Sequence, residues 1–238
     1  MEKKRIDRLL MEKGLAPSME KARALILAGS VIVNDQRVDK PGVEFGPQDT
    51  IRIRGEEQPY VSRGGLKLEK ALEKFGIVPA GKVVLDIGAS TGGFTDCLLK
   101  RGVRKVFALD VGYGQLDWSL RQDPRVVNIE KTNIRYVTPQ DFPEPFDLIT
   151  IDVAFISLTM VLPVAKELLK SNGEIVALIK PQFEVEKGEV EKGGVVRNHI
   201  KHQQVVEHIQ EFSKEIGLTP AGVIESPVLG PMGNKEFL

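Results

Sequence analysis

Apolar positions in the first 27 residues follow helical spacing. Ile6, Leu9 and Leu10 share a face, and Gly14 stops the segment. Ser18 suits the N-cap of a second helix with Ala22, Leu25 and Ile26 inward and Gly29 at its end. The period then shortens to two. In "SVIVNDQRVDK", Val31 and Val33 alternate, Asn34-Asp35 turns, and Arg37-Val38 returns. In "DTIRIR", Ile51 and Ile53 alternate with Arg52 and Arg54. These patterns predict a small α+β unit over residues 1–54. The polar stretch "GEEQPY", 55–60, predicts a linker.

From Val61 the pattern changes. Apolar runs such as "KVVLDIG", "KVFALDVG", "FDLITIDVAF" and "EIVALIKP" alternate with helical stretches, the last a long helix from about His199 to Ile216. Continuous apolar strands separated by helices predict an α/β domain over 61–238. Its sheet would be doubly wound and mostly parallel, with helices on both faces. "TPAGVIESPVLGP" and "NKEFL" predict closing antiparallel strands. Between Phe183 and Asn198 the chain is charged, contains glycine and has no period, which predicts a mobile loop.

Composition adds exclusions. The 33 basic and 33 acidic residues cancel, so total charge announces no polyanion partner. Their distribution does: residues 1–40 hold nine Lys/Arg against six Asp/Glu, with Lys3, Lys4, Arg5 and Arg8 close together. A single cysteine, Cys97, excludes an internal disulfide framework and fits a reducing compartment. The charged N-terminus lacks a signal-peptide core, and no apolar run reaches the ~18 residues of a membrane span. A cytoplasmic protein is expected.

Two sets of strand-end residues carry candidate chemistry. In "VLDIGASTGGFTD", Val84 and Leu85 end a buried strand and Asp86 follows, then Gly88, Gly92 and Gly93 lead into a helix, with Ser90 in the same loop a further cofactor contact. The next strand ends on Asp110, 22 residues after Gly88, where a carboxylate suits ribose hydroxyls. The third ends near Asn133, whose amide suits an adenine edge. Together these point to a nucleoside-bearing cofactor, with a dinucleotide as the rival. The spacing is not GxGxxG, and no Lys-Ser/Thr follows the glycines, which disfavours a phosphate loop. The second set is Asp152 and Lys180, opposite charges that each end an apolar strand at the same rim of a parallel sheet. A lysine crowded by a cation or partly desolvated gives up its proton more readily and can serve as a general base.

"LDIGASTGGFTD", "DVAFISL", "ALIKPQFE" and "GNKEFL", in this order, closely resemble the TlyA family of haemolysins and ribosomal RNA 2′-O-methyltransferases. The catalytic part is similar to FtsJ/RrmJ-type methyltransferases, which implies a Rossmann-like sheet of the seven-stranded type and S-adenosylmethionine as cofactor. The first part, "RIDRLLMEKGLAPSMEKARALILAGSVIVNDQRVDK", resembles the RNA-binding module of ribosomal small-subunit protein four. The resemblance spans essentially the whole chain. It implies a Lys-Asp-Lys-Glu tetrad at Lys67, Asp152, Lys180 and Glu236, with Lys180 taking the proton from a ribose 2′-hydroxyl. It also implies ribosomal RNA as partner, met by Lys3, Lys4, Arg5, Arg8, Lys21, Arg23 and Arg37 through phosphate contacts. Only two residues follow Glu236, fewer than the resemblance leads one to expect, which predicts a frayed end that holds this carboxylate loosely.

Other residues carry less. Lys70 and Lys74 are expected to be solvated, and Cys97 to be a core thiol. His199 and His202 have metal-ligand spacing but no third ligand, so no metal is expected. Trp118 suits either the adenine or the core. Three alternatives stay open: an RNA-binding ribosome-assembly protein without catalysis, a membrane-lytic haemolysin, and a dinucleotide enzyme.

Overall fold

The computed structural model describes residues 3–34, 36–46, 48–54, 59–191 and 193–238. The chain divides into two compact units, Met1–Glu57 and Gln58–Leu238. In the first, β1 (Lys4–Arg5) leads into α1 (Ile6–Glu12) and α2 (Met19–Leu27). Strands β2 (Val31–Val33), β3 (Gln36–Val38), β4 (Glu44–Phe45) and β5 (Ile51–Ile53) follow. The Ser18 side chain caps α2 by accepting from the Lys21 amide at 3.2 Å. Strand β2 lies between β3 and β5, both antiparallel. The face carrying Val31, Val33, Val38 and Ile53 packs on Ile6, Leu10, Ala22 and Ile26 of the helices. The turn residue Asp35 lies outside the described residues.

The second unit opens with α3 (Gly64–Phe75), β6 (Val83–Ile87), α4 (Gly93–Lys100), β7 (Lys105–Leu109), α5 (Trp118–Arg121) and β8 (Val126–Ile129). It continues through β9 (Phe146–Ile151), α6 (Leu162–Leu168), β10 (Leu169–Ala177), α7 (Pro181–Glu184) and α8 (His199–Glu215). Five strands form a parallel sheet in the order β10-β9-β6-β7-β8. Because side chains alternate along a strand, each strand feeds two cores. Val84, Val106, Ala108, Leu148 and Val176 pack with α3 and α4 on one face. Leu85, Ile87, Phe107, Phe146 and Ile149 pack with α6 and α8 on the other. This is the expected doubly wound α/β architecture.

The strand count differs from seven. The two antiparallel closing segments pair only through single bridges, Ile179 with Phe237 and Glu225 with Phe237. Pro220, Pro227 and Pro231 interrupt the first of them, and proline cannot donate to a ladder. The segment from Phe183 to Asn198 also departs from a featureless loop. It holds the end of α7, a 3-10 turn at Lys187–Glu189 and a bridge from Glu191 to Val195. The Val196 amide donates to Asn234 Oδ1 at 3.1 Å, and its carbonyl lies 2.7 Å from His202 Nε2.

Candidate active site

The chain runs from β6 to β7 and β8 on one side, then resumes with β9 on the other side of β6. At such a reversal the crevice lies off the carboxyl ends of the two central strands. Here the loops after β6 and β9 touch: the Asp152 amide donates to the Ile87 carbonyl at 2.9 Å. Gly88 makes this approach possible. Its φ is +84°, and a Cβ there would stand 2.4 Å from the Asp152 carbonyl oxygen. A cavity of about 530 Å³ opens at this point, lined by Gly88, Asp110, Asn133, Asp152, Ile134 and Phe155 among others. Its size and its mixture of apolar walls and a few polar groups suit a nucleoside-bearing ligand.

Of the seven residues predicted to meet a cofactor, Gly88, Asp110 and Asn133 line this cavity. The Asp110 carboxylate accepts from the amides of Ser90 at 2.8 Å and Gly112 at 2.7 Å, which fixes it at the rim. Ser90, with φ +49°, is exposed and outside the lining. Gly92 is the left-handed N-cap of α4, and Gly93 packs against Ser62 and the start of α3. Neither lines the cavity.

Asp86 stands apart from the cavity lining as well. Its side chain is fully buried and accepts from Thr95 Oγ1 at 2.7 Å and Thr150 Oγ1 at 2.8 Å. It braces β6 to β9 and α4 beneath the glycine turn. Burial raises its pKa from 3.8 to about 6, the two threonine hydroxyls pull it down, and the Asp152 charge pushes it up. The folded protein therefore holds more protons at this site than the unfolded chain between about pH 4 and 6. Stability falls as pH rises through that window and stays lower above it, by on the order of 3 kcal/mol. Asp86→Asn keeps the shape and removes the charge. It is expected to unfold at higher denaturant than the wild type at pH 7, with the difference vanishing near pH 4. Urea titrations across that range check this.

The four tetrad positions converge from four segments. Lys67, on α3, pairs with Glu236 at 2.5 Å, and Lys180 pairs with Asp152 at 2.5 Å. Leu178 donates to the Ile151 carbonyl at 2.8 Å, which keeps the end of β9 beside that of β10. Ile179 pairs antiparallel with Phe237, so Lys180 stands opposite Glu236 in register. The expected loose end is absent. Glu236 is 0% exposed, and its carbonyl accepts from Ser226 at 2.8 Å. Phe237 exchanges two backbone bonds with Ile179, and Leu238 does so with Ile224. Gly230 leaves the space: a Cβ there would lie 2.0 Å from Glu236 Oε1. Lys70 and Lys74 are exposed on α3.

Sequence reasoning missed Phe155. It is 92% exposed, adopts φ +63°, lines the cavity, and has its ring 5.1 Å from that of Phe183. A bulky residue held left-handed and bare to solvent is costly, and such strain gathers at functional sites. The signal was an aromatic three residues after Asp152, past the charge that marks the strand end.

In the first unit, Lys3, Lys4, Arg5, Arg8, Lys21, Arg23 and Arg37 are all exposed. Asp7, 1% exposed, gathers three of them. It accepts from Arg5 at 2.7 and 3.1 Å, from Arg23 at 3.5 Å and from the Arg8 amide at 3.0 Å. The Arg5 hydrogen bond holds the Asp7 carboxyl below the usual carboxylate range. Lys4 is paired with Glu12 at 2.8 Å, and the Arg37 guanidinium rests over Gly29 at the end of α2. Arg52, not among the predicted contacts, faces Ile32 from β5 as Arg37 does from β3.

Cys97 is buried, and burial pushes its thiol up. Trp118 is 72% exposed, outside the core. His202 is buried against Val196, and among the described residues no three potential metal ligands gather. No helix of the described residues is long and apolar enough to cross a membrane.

Residues 60–238 match the model of the FtsJ-like methyltransferases, and residues 4–51 match the S4 domain. The 16S/23S rRNA (cytidine-2'-O)-methyltransferase TlyA of Mycobacterium tuberculosis is 45% identical over 98% of this chain and 87% of its own length. Hemolysin A of Brachyspira hyodysenteriae is 42% identical over 98% of both chains. A solved structure from Streptococcus thermophilus, provisionally described as a hemolysin, aligns with a TM-score of 0.78 at 43% identity, covering 100% of this chain and 87% of that one.

Proposed function

The chain belongs to the FtsJ-like methyltransferases, here joined to an S4 domain, and from that premise we propose that it transfers a methyl group from S-adenosylmethionine to a ribose 2′-hydroxyl of ribosomal RNA. The observation that carries this reading is the Lys180–Asp152 pair at the carboxyl edge of the sheet, where Asp152 also lines the cavity. Gly88, Asp110 and Asn133 fit a nucleoside-bearing cofactor, with the Asp110 carboxylate suited to ribose hydroxyls. When bound, S-adenosylmethionine supplies a methyl group already activated by its sulfonium charge. The protein has two tasks left: to align an oxygen with that carbon and to handle one proton.

Lys180 Nζ, in its neutral form after giving up its own proton to solvent, would take the proton of the 2′-hydroxyl as the oxygen bonds to the methyl carbon and that carbon's bond to sulfur breaks. Asp152, at 2.5 Å, then balances the ammonium that forms. The Lys67–Glu236 pair braces the other side of Lys180 and orients the ribose. The exposed ring of Phe155 offers a face on which the target base stacks once drawn out of its helix. In the S4 domain, Arg5 and Arg23, ordered by Asp7, and the exposed Arg8 meet phosphates and supply affinity with little sequence reading. A ribosomal substrate supports a cytoplasmic location. The relative named as a 2'-O-methyltransferase supports the reaction class.

Tritium-methyl transfer from labelled S-adenosylmethionine to purified 30S and 50S subunits tests this reading. Label in the RNA of at least one subunit is expected. RNA binding with no transfer and no cofactor binding would favour the assembly-factor alternative instead.

A further inference from the structure

Asp152 and Lys180 are each followed by a short connection, and these two connections meet again away from the reacting pair. The loop after Asp152 carries Phe155 and ends at Ser157 and Leu158, where a 3-10 turn begins. The segment after Lys180 is α7, which ends at Glu184. The Glu184 carboxylate joins the two: Oε2 accepts from Ser157 Oγ at 2.6 Å, and Oε1 accepts from the Leu158 amide at 2.8 Å. Ser157 Oγ is itself fixed, 2.8 Å from Thr159 Oγ1 and accepting from the Thr159 amide at 3.1 Å. Burial pushes the Glu184 carboxyl up, while the Ser157 and Leu158 donors pull it down.

Two clasps therefore tie the same pair of segments. One is Asp152–Lys180, and the other is Ser157/Leu158–Glu184. Between them sits the strained Phe155, its ring 5.1 Å from the Phe183 ring of α7. A loop pinned at one end only would let the Asp152 carboxylate and the Phe155 ring drift, and a positional error of about 1 Å can cost about 100-fold in rate.

We propose that Glu184 is a positioning residue that clamps the loop 153–158 onto α7 and so fixes Asp152, Lys180 and the Phe155–Phe183 pair in one working geometry. This role rests on the methyltransferase reading above. Glu184 touches no reacting atom and acts through the segments it joins. The Glu184→Gln side chain would retain both hydrogen bonds, since its amide oxygen can accept from Leu158 and its amide nitrogen can donate to Ser157 Oγ. Alanine would retain neither.

The test compares wild type, Glu184→Ala, Glu184→Gln and Ser157→Ala in methyl transfer, cofactor affinity and amide exchange. Glu184→Ala is expected to lower kcat about 30-fold, with KM for the subunit within about threefold and a weaker Kd for S-adenosylmethionine, since the loosened loop also lines the cavity. Glu184→Gln is expected to recover kcat to within about threefold of wild type, and Ser157→Ala to fall between. Amide exchange over 153–158 should quicken in Glu184→Ala and not in Glu184→Gln. Wild-type kcat in Glu184→Ala, a Glu184→Gln variant as impaired as Glu184→Ala, or unchanged exchange in Glu184→Ala would overturn the proposal. Should Glu184→Ala fail to fold, Ser157→Ala carries the same kcat and exchange comparison. Should the wild type transfer no methyl group, the functional reading fails on its own, and the exchange experiment still decides whether Glu184 is the clamp.

Discussion

Lys180→Ala is expected to lower kcat for RNA methylation by about 1,000-fold, within the span that general-base catalysis contributes. Cofactor affinity should hardly change, because Lys180 is not part of the cavity lining. Lys180→Arg sharpens the test. Arginine keeps the positive charge and can still pair with Asp152, but it does not give up its proton in proteins. On the base assignment it is as inactive as alanine. If the lysine served only as a fixed charge, arginine would restore much of the rate. Single-turnover methyl transfer on ribosomal subunits, with calorimetric titration of S-adenosylmethionine, separates these outcomes.

The second large effect is on stability. Lys67 and Glu236 form an ion pair with side chains 10% and 0% exposed. Removing one partner leaves the other charge buried and unpaired, which costs about 3–5 kcal/mol. Glu236→Ala is therefore expected to lower the unfolding midpoint by roughly 10 °C. The double replacement of Lys67 and Glu236 by methionine should recover most of that loss, because apolar pairs of similar volume match buried ion pairs in stability. It should remain inactive. A double variant with wild-type methyl transfer would remove this pair from the catalytic machinery, and calorimetry with a transfer assay reads both quantities.

Much of this was legible in the sequence, for reasons particular residues make plain. Apolar runs bounded by charges locate strand ends, and in a parallel sheet those ends share one rim. Asp110, Asp152 and Lys180 could thus be placed together from periodicity alone. Asp86 could not be aimed. In a strand buried on both faces, the apolar run continues through both phases of the period, so the pattern does not say which face a lone carboxylate takes. Its partners Thr95 and Thr150 lie nine and 64 residues away. Glu236 was misjudged for a related reason. Nearness to an end suggests fraying, but its order comes from its own bond to Ser226 and from the pairing of Phe237 with Ile179 and Leu238 with Ile224, contacts that local pattern does not carry. The same holds for Val196, whose amide partner Asn234 is 38 residues away. Phe155 was overlooked because an aromatic beside an apolar strand reads as core until its exposure is seen.

The measurement that bears most directly on the central claim is the chemical position of the transferred methyl. Ribosomal RNA labelled by the wild-type protein is hydrolysed in alkali, which needs a free 2′-hydroxyl to cleave each linkage. If the methyl sits on a ribose, the label appears in a dinucleotide that resists cleavage, and the same product is missing with Lys180→Ala. Label recovered in mononucleotides would place the methyl on a base and contradict the account.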